Sequence, residues 1–104
     1  MFKGQTISDK KFYETSVKIF FLRAEARLIR RAVEPWEGYL EDNFRRGTRI
    51  KDGVTVKFLG WELCELVYAV ETEAKLADDQ AYAQSLKLIL KQKILPVKKA
   101  WAVA

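Results

Sequence analysis

Apolar and polar positions alternate most plainly at residues 54–58, where Thr55 and Lys57 separate Val54, Val56 and Phe58. A period of two predicts a strand with one buried face. Just before it stands Arg49-Ile50-Lys51-Asp52-Gly53. Asp-Gly favours the left-handed torsions of a two-residue type I′ turn, and its β-branched neighbours make a hairpin the expectation. After residue 60 the period lengthens. Leu63, Leu66, Val67, Val70 and Ala74 recur at three- and four-residue spacing, which predicts a helix from about Trp61 to Leu76, with Gly60 and Glu62 suited to its start. A second helix is expected from about Asp79 to Leu95. Leu86, Ile89, Leu90 and Ile94 share one face, Asp78 and Asp79 sit at its N-terminus, and Lys91 and Lys93 lie near its C-terminus. Those charges complement the helix dipole, and Pro96 is expected to stop the helix.

Residues 12–34 fit two periods. Arg23-Ala24-Glu25-Ala26-Arg27-Leu28 consists of good helix formers. Yet Phe20, Leu22, Ala24, Ala26 and Leu28 alternate with Phe21, Arg23, Glu25 and Arg27, as in a half-buried strand. A helix would set Arg27 and Arg31 beside the stripe of Tyr13, Val17, Phe20, Ala24 and Leu28, and would place those two arginines in repulsion at i,i+4. The strand is therefore preferred, with Leu22, Ala24, Ala26 and Leu28 inward and Arg23 and Arg27 on the opposite face. Glu34 precedes Pro35 and is expected to be extended. The fold class is α+β: an antiparallel sheet from the first 58 residues, packed by two C-terminal helices.

Length changes the picture little: 104 residues, 49% of them hydrophobic, suit one domain. Leu86, Leu88, Ile89 and Leu90 nearly encircle the last helix, which implies burial on more than one side and a homodimer. Residues 1–11 are polar and resemble no signal peptide, and no apolar run approaches the roughly 18 residues of a spanning helix. No membrane partner is expected, and a cytoplasmic location is. The lone Cys64 stands in an apolar run and reads as a buried structural thiol.

Charge is more informative. The net charge is +5, and it is unevenly spread. Glu62, Glu65, Glu71, Glu73, Asp78 and Asp79 crowd one segment, whereas Arg45, Arg46, Arg49 and Lys51 form another without acids, as do Lys87, Lys91, Lys93, Lys98 and Lys99. A basic surface suits a polyanion. Catalytic chemistry is not expected. There is no histidine, a single cysteine, and no glycine-rich phosphate loop. Glu34, Glu37, Glu41 and Asp42 could hold a divalent cation, but no further ligand pattern accompanies them and a solvated acidic loop is preferred. No cofactor is implied.

The candidate binding residues interleave charge with rings: Arg23, Arg27, Arg30 and Arg31, then Trp36 and Tyr39, then Phe44, Arg45, Arg46, Arg49 and Lys51, ending at Lys57. Arginines neutralise phosphates, and rings stack on unpaired bases of any identity. Trp36 and Tyr39 suit either stacking or capping a core. Trp61 is expected in the core, and Trp101 to dock on the body or a second subunit. The function expected is sequence-tolerant binding of single-stranded nucleic acid, DNA before RNA. The alternative is a small protein-binding module, an inhibitor, adaptor or assembly factor acting through its helices.

Arg49-Ile50-Lys51-Asp52-Gly53-Val54-Thr55-Val56 followed by Trp61-Glu62-Leu63-Cys64-Glu65-Leu66 resembles the end of the positive-cofactor-four and Whirly type of single-stranded-DNA-binding domain. The segment 26–36 is similar to that family's preceding basic strand. The resemblance implies a curved antiparallel sheet packed by a helix, dimerisation through the helices and unpaired DNA across the sheets. It also implies phosphate contacts at Arg45, Arg46, Arg49 and Lys51, with Arg27 and Arg31 on the sheet face.

Overall fold

The computed structural model describes residues 14–102, with the backbone alone for the last two. Tyr13 and the side chain of Trp101 lie outside the described residues. Strand β1 (Ser16–Leu22) runs directly into helix α1 (Arg23–Glu37), followed by a 3₁₀ turn (Gly38–Leu40) and a short helix α2 (Glu41–Arg45). Then come β2 (Thr48–Ile50), β3 (Gly53–Leu59), α3 (Gly60–Leu76) and α4 (Gln80–Ile89). A π turn (Leu90–Ile94) joins α4 to α5 (Leu95–Ala102). The expected α+β class holds: one antiparallel sheet of order β1-β3-β2, with its helices mostly C-terminal.

The register explains which face is buried. Val17 pairs with Phe58, Ile19 with Val56 and Phe21 with Val54. All six are buried, and they join one core with Ile29 and Val33 of α1, Phe44 of α2, and Leu63, Leu66 and Val70 of α3. The rings of Phe21 and Phe58 lie 5.5 Å and 5.9 Å from that of Phe44. The other sheet face carries Ser16, Lys18, Phe20, Leu22, Thr48, Ile50, Thr55, Lys57 and Leu59, all exposed or half-buried.

The expectation for β3, α3 and the inward leucines and isoleucines of the last helix agrees with this. Residues 12–34 do not. The strand ends at Leu22, and its phase is the reverse of that expected, with Phe21 inside and Phe20 and Leu22 outside. The decisive alternation lies earlier, at Val17, Ile19 and Phe21. Beyond Leu22 the apolar spacing is helical: Ala26, Ile29, Ala32 and Val33 are the buried residues of α1. Arg23, Arg27 and Arg31 therefore stand on a helix and not on a sheet face. Neither proline breaks its helix. Pro35 sits in the last turn of α1, three residues before the coil tightens into the 3₁₀ turn. Pro96 follows the π turn, a wider coil that dispenses with the proline's missing N–H, so the helix runs on to Ala102 instead of stopping.

The hairpin forms one residue earlier than Asp-Gly suggests. Its two-residue loop is Lys51-Asp52, and Gly53 pairs with Ile50 on one side and Leu22 on the other. A Cβ at Gly53 would collide with the Phe21 carbonyl oxygen and lie 2.8 Å from the edge of the Phe20 ring. Glycine is thus required here by a close approach, not by a turn torsion.

Candidate nucleic-acid interface

Arg23, Arg27 and Arg30 recur at four and three residues, so they share one side of α1. Arg49, on edge strand β2, pairs with Val54 and so belongs to the helix-bearing side of the sheet. These four arginines line one groove of about 340 Å³, between α1 and the hairpin, with Ala26 and Gly53 leaving it room. Among the described residues only Arg30 is matched there by a carboxylate: its Nε donates to Glu41 Oε1 at 2.6 Å. Arg23 Nη2 donates to the Lys51 carbonyl at 3.4 Å, tying α1 to the hairpin loop. Among the described residues Arg27 and Arg49 have no ion pair.

The groove's rim continues onto the open sheet face. Leu22 and Ile50 flank Gly53 there and are about half exposed. The Phe20 ring lies over Gly53, with Lys93 Nζ 5.4 Å from its centroid. Further along the same face Lys18 and Lys57 stand directly opposite each other, an arrangement that costs stability unless an anion intervenes. Lys57 and Arg46 then line a second groove of about 380 Å³ with Asn43 and Glu62.

The remaining expected residues are placed otherwise. Arg31 lies over the Tyr82 ring, 3.9 Å from its centroid. Trp36 is half-buried against the core and donates from Nε1 to Glu73 Oε1 at 3.1 Å. Glu73 Oε2 accepts from Tyr82 Oη at 3.1 Å, so Arg31, Trp36, Glu73 and Tyr82 form one bracket across α1, α3 and α4. Trp36 is engaged by this bracket, whereas Arg31 stays exposed with its guanidinium over the Tyr82 ring. Phe44 is core. Arg45 faces Asp42 at 3.6 Å, well exposed and away from the four-arginine groove.

Tyr39 stacks on Trp61, with centroids 6.0 Å apart and planes at 21°. Trp61 is 42% exposed and is no core residue. Tyr39 stands among carboxylates. Burial, the charges of Glu65, Glu37 and Glu62, and a hydrogen bond to Glu65 raise its phenol far above the ordinary value. An acidic setting disfavours a phosphate beside Tyr39. The acids at 34–42 are likewise dispersed: Glu41 is held by Arg30 and Asp42 by Arg45. Among the described residues no group of three or more side chains is arranged to hold a metal. Cys64 is half-buried, and burial raises its thiol above the usual value.

Lys18 and Phe20 were not among the expected site residues. The alternation of Ser16, Lys18 and Phe20 against Val17, Ile19 and Phe21 carries the signal that could have found them. Comparisons with protein-family models, with curated proteins and with solved structures find no match to this chain.

Proposed function

We propose that this protein binds single-stranded nucleic acid, with the phosphate backbone in the arginine groove and unpaired bases over the adjoining sheet face. One observation carries the reading: four guanidiniums line a single groove, and among the described residues only one of them has a carboxylate partner there. Like charges gathered without counter-charge repel, and a phosphate relieves that repulsion while releasing its own counterions. Arg23, Arg27 and Arg49 supply the fork geometry that phosphate accepts, and Lys51 stands beside them on the hairpin loop. Phe20, Leu22 and Ile50 favour a single strand over a duplex, because base faces are available to apolar side chains only when unpaired. Lys18, Lys57 and Arg46 extend the basic track. Nothing in this reading requires a reaction or a cofactor. Among the described residues no helix is long and apolar enough to cross a membrane.

The test is a titration of labelled single-stranded and duplex oligonucleotides, DNA and RNA, at two salt concentrations. The expected result is tighter binding of the single strands, weakened by salt. No binding at low salt would overturn the reading.

Homodimerisation belongs to the same proposal. Along α4 and the π turn, Leu86, Ile89, Leu90 and Ile94 are buried within the chain, while Leu88 is 53% exposed. Tyr68 and Leu76 of α3 are also exposed, and a groove of about 670 Å³ floored by Ala74, Ala77, Ala83 and Leu90 separates α3 from α4. Light scattering is expected to give twice the chain mass of 12.1 kDa, falling to that mass in Leu88→Arg. A wild-type mass of one chain would exclude the dimer.

A further inference from the structure

The end of the sheet away from the arginine groove carries a surface of opposite character. Strand β3 starts at Gly53 beside the groove and ends at Leu59, just before Trp61. At the usual rise per residue the two ends of β3 stand about 20 Å apart. Trp61 opens α3 and Tyr39 belongs to the 3₁₀ turn after α1, so their stack joins two elements. Both residues are more than two-fifths exposed. The core does not account for that exposure.

The carboxylates beside the stack are as incompletely satisfied as the groove's arginines. Glu62 is committed, accepting from the Leu59 backbone N–H and from Asn43. Glu65 accepts a hydrogen bond from the Tyr39 phenol, and among the described residues neither Glu65 nor Glu37 has an ion pair. The Glu37 carboxyl is raised above its ordinary value by desolvation and by the charge of Glu65, so the two acids act on each other. Exposed π faces attract a cation, arginine's above all, and a guanidinium can lie flat on a ring while its N–H groups reach carboxylates at the edge. Anionic ligands are repelled from the same spot.

We propose that the Tyr39–Trp61 stack, edged by Glu37 and Glu65, docks an arginine-bearing segment of a partner protein. The guanidinium lies over the exposed indole face and donates to the two carboxylates. This site is independent of the arginine groove. One chain can therefore hold a nucleic-acid strand at one end of β3 and a basic protein segment at the other.

The experiment follows the fluorescence anisotropy of a labelled octa-arginine peptide, titrated with the full chain near physiological salt, against octalysine. Saturable binding of octa-arginine is expected, tighter than that of octalysine, since charge alone treats the two alike. Trp61→Ala should weaken octa-arginine binding about fivefold. Glu65→Gln and Glu37→Gln, which preserve shape, should each weaken it, and Arg27→Ala should not. Single-strand affinity should be unchanged in Trp61→Ala, which separates this site from the nucleic-acid reading. Failure to saturate, equal affinity for the two peptides, or undiminished binding in the Trp61 and Glu65 variants would each overturn the proposal. So would an increase in mass with concentration that Trp61→Ala abolishes, because the occupant would then be a second copy of the chain. If Trp61→Ala loses its thermal transition, the two glutamine variants decide.

Discussion

At the scale of single residues, the bracket of Arg31, Trp36, Glu73 and Tyr82 shows that residue type alone does not tell what a side chain touches. Trp36 and Arg31 have the chemistry of a nucleic-acid surface, but each is occupied by a neighbour from another helix. The Tyr82 phenol is held protonated by burial, by the Glu73 charge and by its bond to Glu73, with Arg31 opposing, and its pKa is pushed up to about 12. The folded value lies above the usual 10. The stabilisation from this group is therefore complete below pH 10 and is lost as pH rises through about 12, where a phenolate would face the Glu73 carboxylate. Tyrosinate absorbance should show a step near pH 12 that Tyr82→Phe removes; persistence of that step would refute the assignment. Loss of the hydrogen bond should also cost about 1 kcal/mol in urea denaturation at neutral pH. A sharper effect is expected at Gly53. The Cβ of Gly53→Ala meets backbone oxygen, which cannot swing aside as a side chain can, and should destabilise by about 1–3 kcal/mol. An unchanged urea midpoint would mean that β1 and β3 lie further apart than described.

At the scale of elements, the same junction is built twice. β1 enters α1, and β3 enters α3, without a loop, and in both a glutamate three residues into the sequence turns back to cap the strand's last N–H. Glu25 Oε1 accepts from Leu22 N at 2.9 Å, and Glu62 Oε1 from Leu59 N at 2.8 Å. Half of a capping box thus serves where leucine supplies no acceptor of its own. The two glutamates are not equivalent. Glu25 is otherwise paired with Lys93 at 3.3 Å near the surface, whereas Glu62 also accepts from Asn43, a buried amide whose other N–H goes to the Lys57 carbonyl. Glu62→Ala should therefore cost about 1–3 kcal/mol, and Glu25→Ala about 1 kcal/mol or less. Equal losses in urea denaturation would show that Asn43 finds another acceptor. Much of this architecture is legible in the sequence: β3 from its strict alternation, α3 and α4 from their three- and four-residue spacing. Residues 23–28 alone fit both periods, and it is Ile29, Ala32 and Val33 that settle the helix. The repulsion of Arg27 and Arg31 weighed against that helix, but it is answered in the fold, where Arg31 rests on Tyr82 and Arg27 turns to the groove. The candidate site was half legible. Arg23, Arg27 and Arg49 meet as their charge suggested. Lys18 and Phe20 were missed because the phase of β1 depends on where the strand begins.

At the scale of the whole molecule, the net charge of +5 conceals a separation: arginines at the hairpin end of β3, carboxylates and paired rings at the other. That polarity makes the nucleic-acid reading testable residue by residue. Arg27 and Arg49 are the groove cations without a carboxylate among the described residues, so each is expected to take one phosphate. Replacing either by alanine should weaken single-strand binding for all sequences alike, and should reduce the slope of log affinity against log salt by roughly 0.7. Arg45 already faces Asp42 in solvent, and Arg45→Ala should leave both affinity and slope nearly as they were. Phe20 acts by a different force. Its ring releases no counterion, so Phe20→Leu should lower single-strand affinity by about 1–3 kcal/mol per base displaced, at an unchanged slope. Leucine keeps apolar cover over Gly53, which protects the strand pairing, and an intact thermal transition confirms that the comparison is of folded proteins. Trp36→Phe should do the reverse: it loses the bond to Glu73 and some stability, yet binds as the parent does. The pattern across these five variants separates phosphate contact, stacking and scaffold. Equal slopes for Arg27→Ala, Arg49→Ala and Arg45→Ala would deny the groove its role, and the acidic, aromatic end would then remain as the molecule's proposed point of contact.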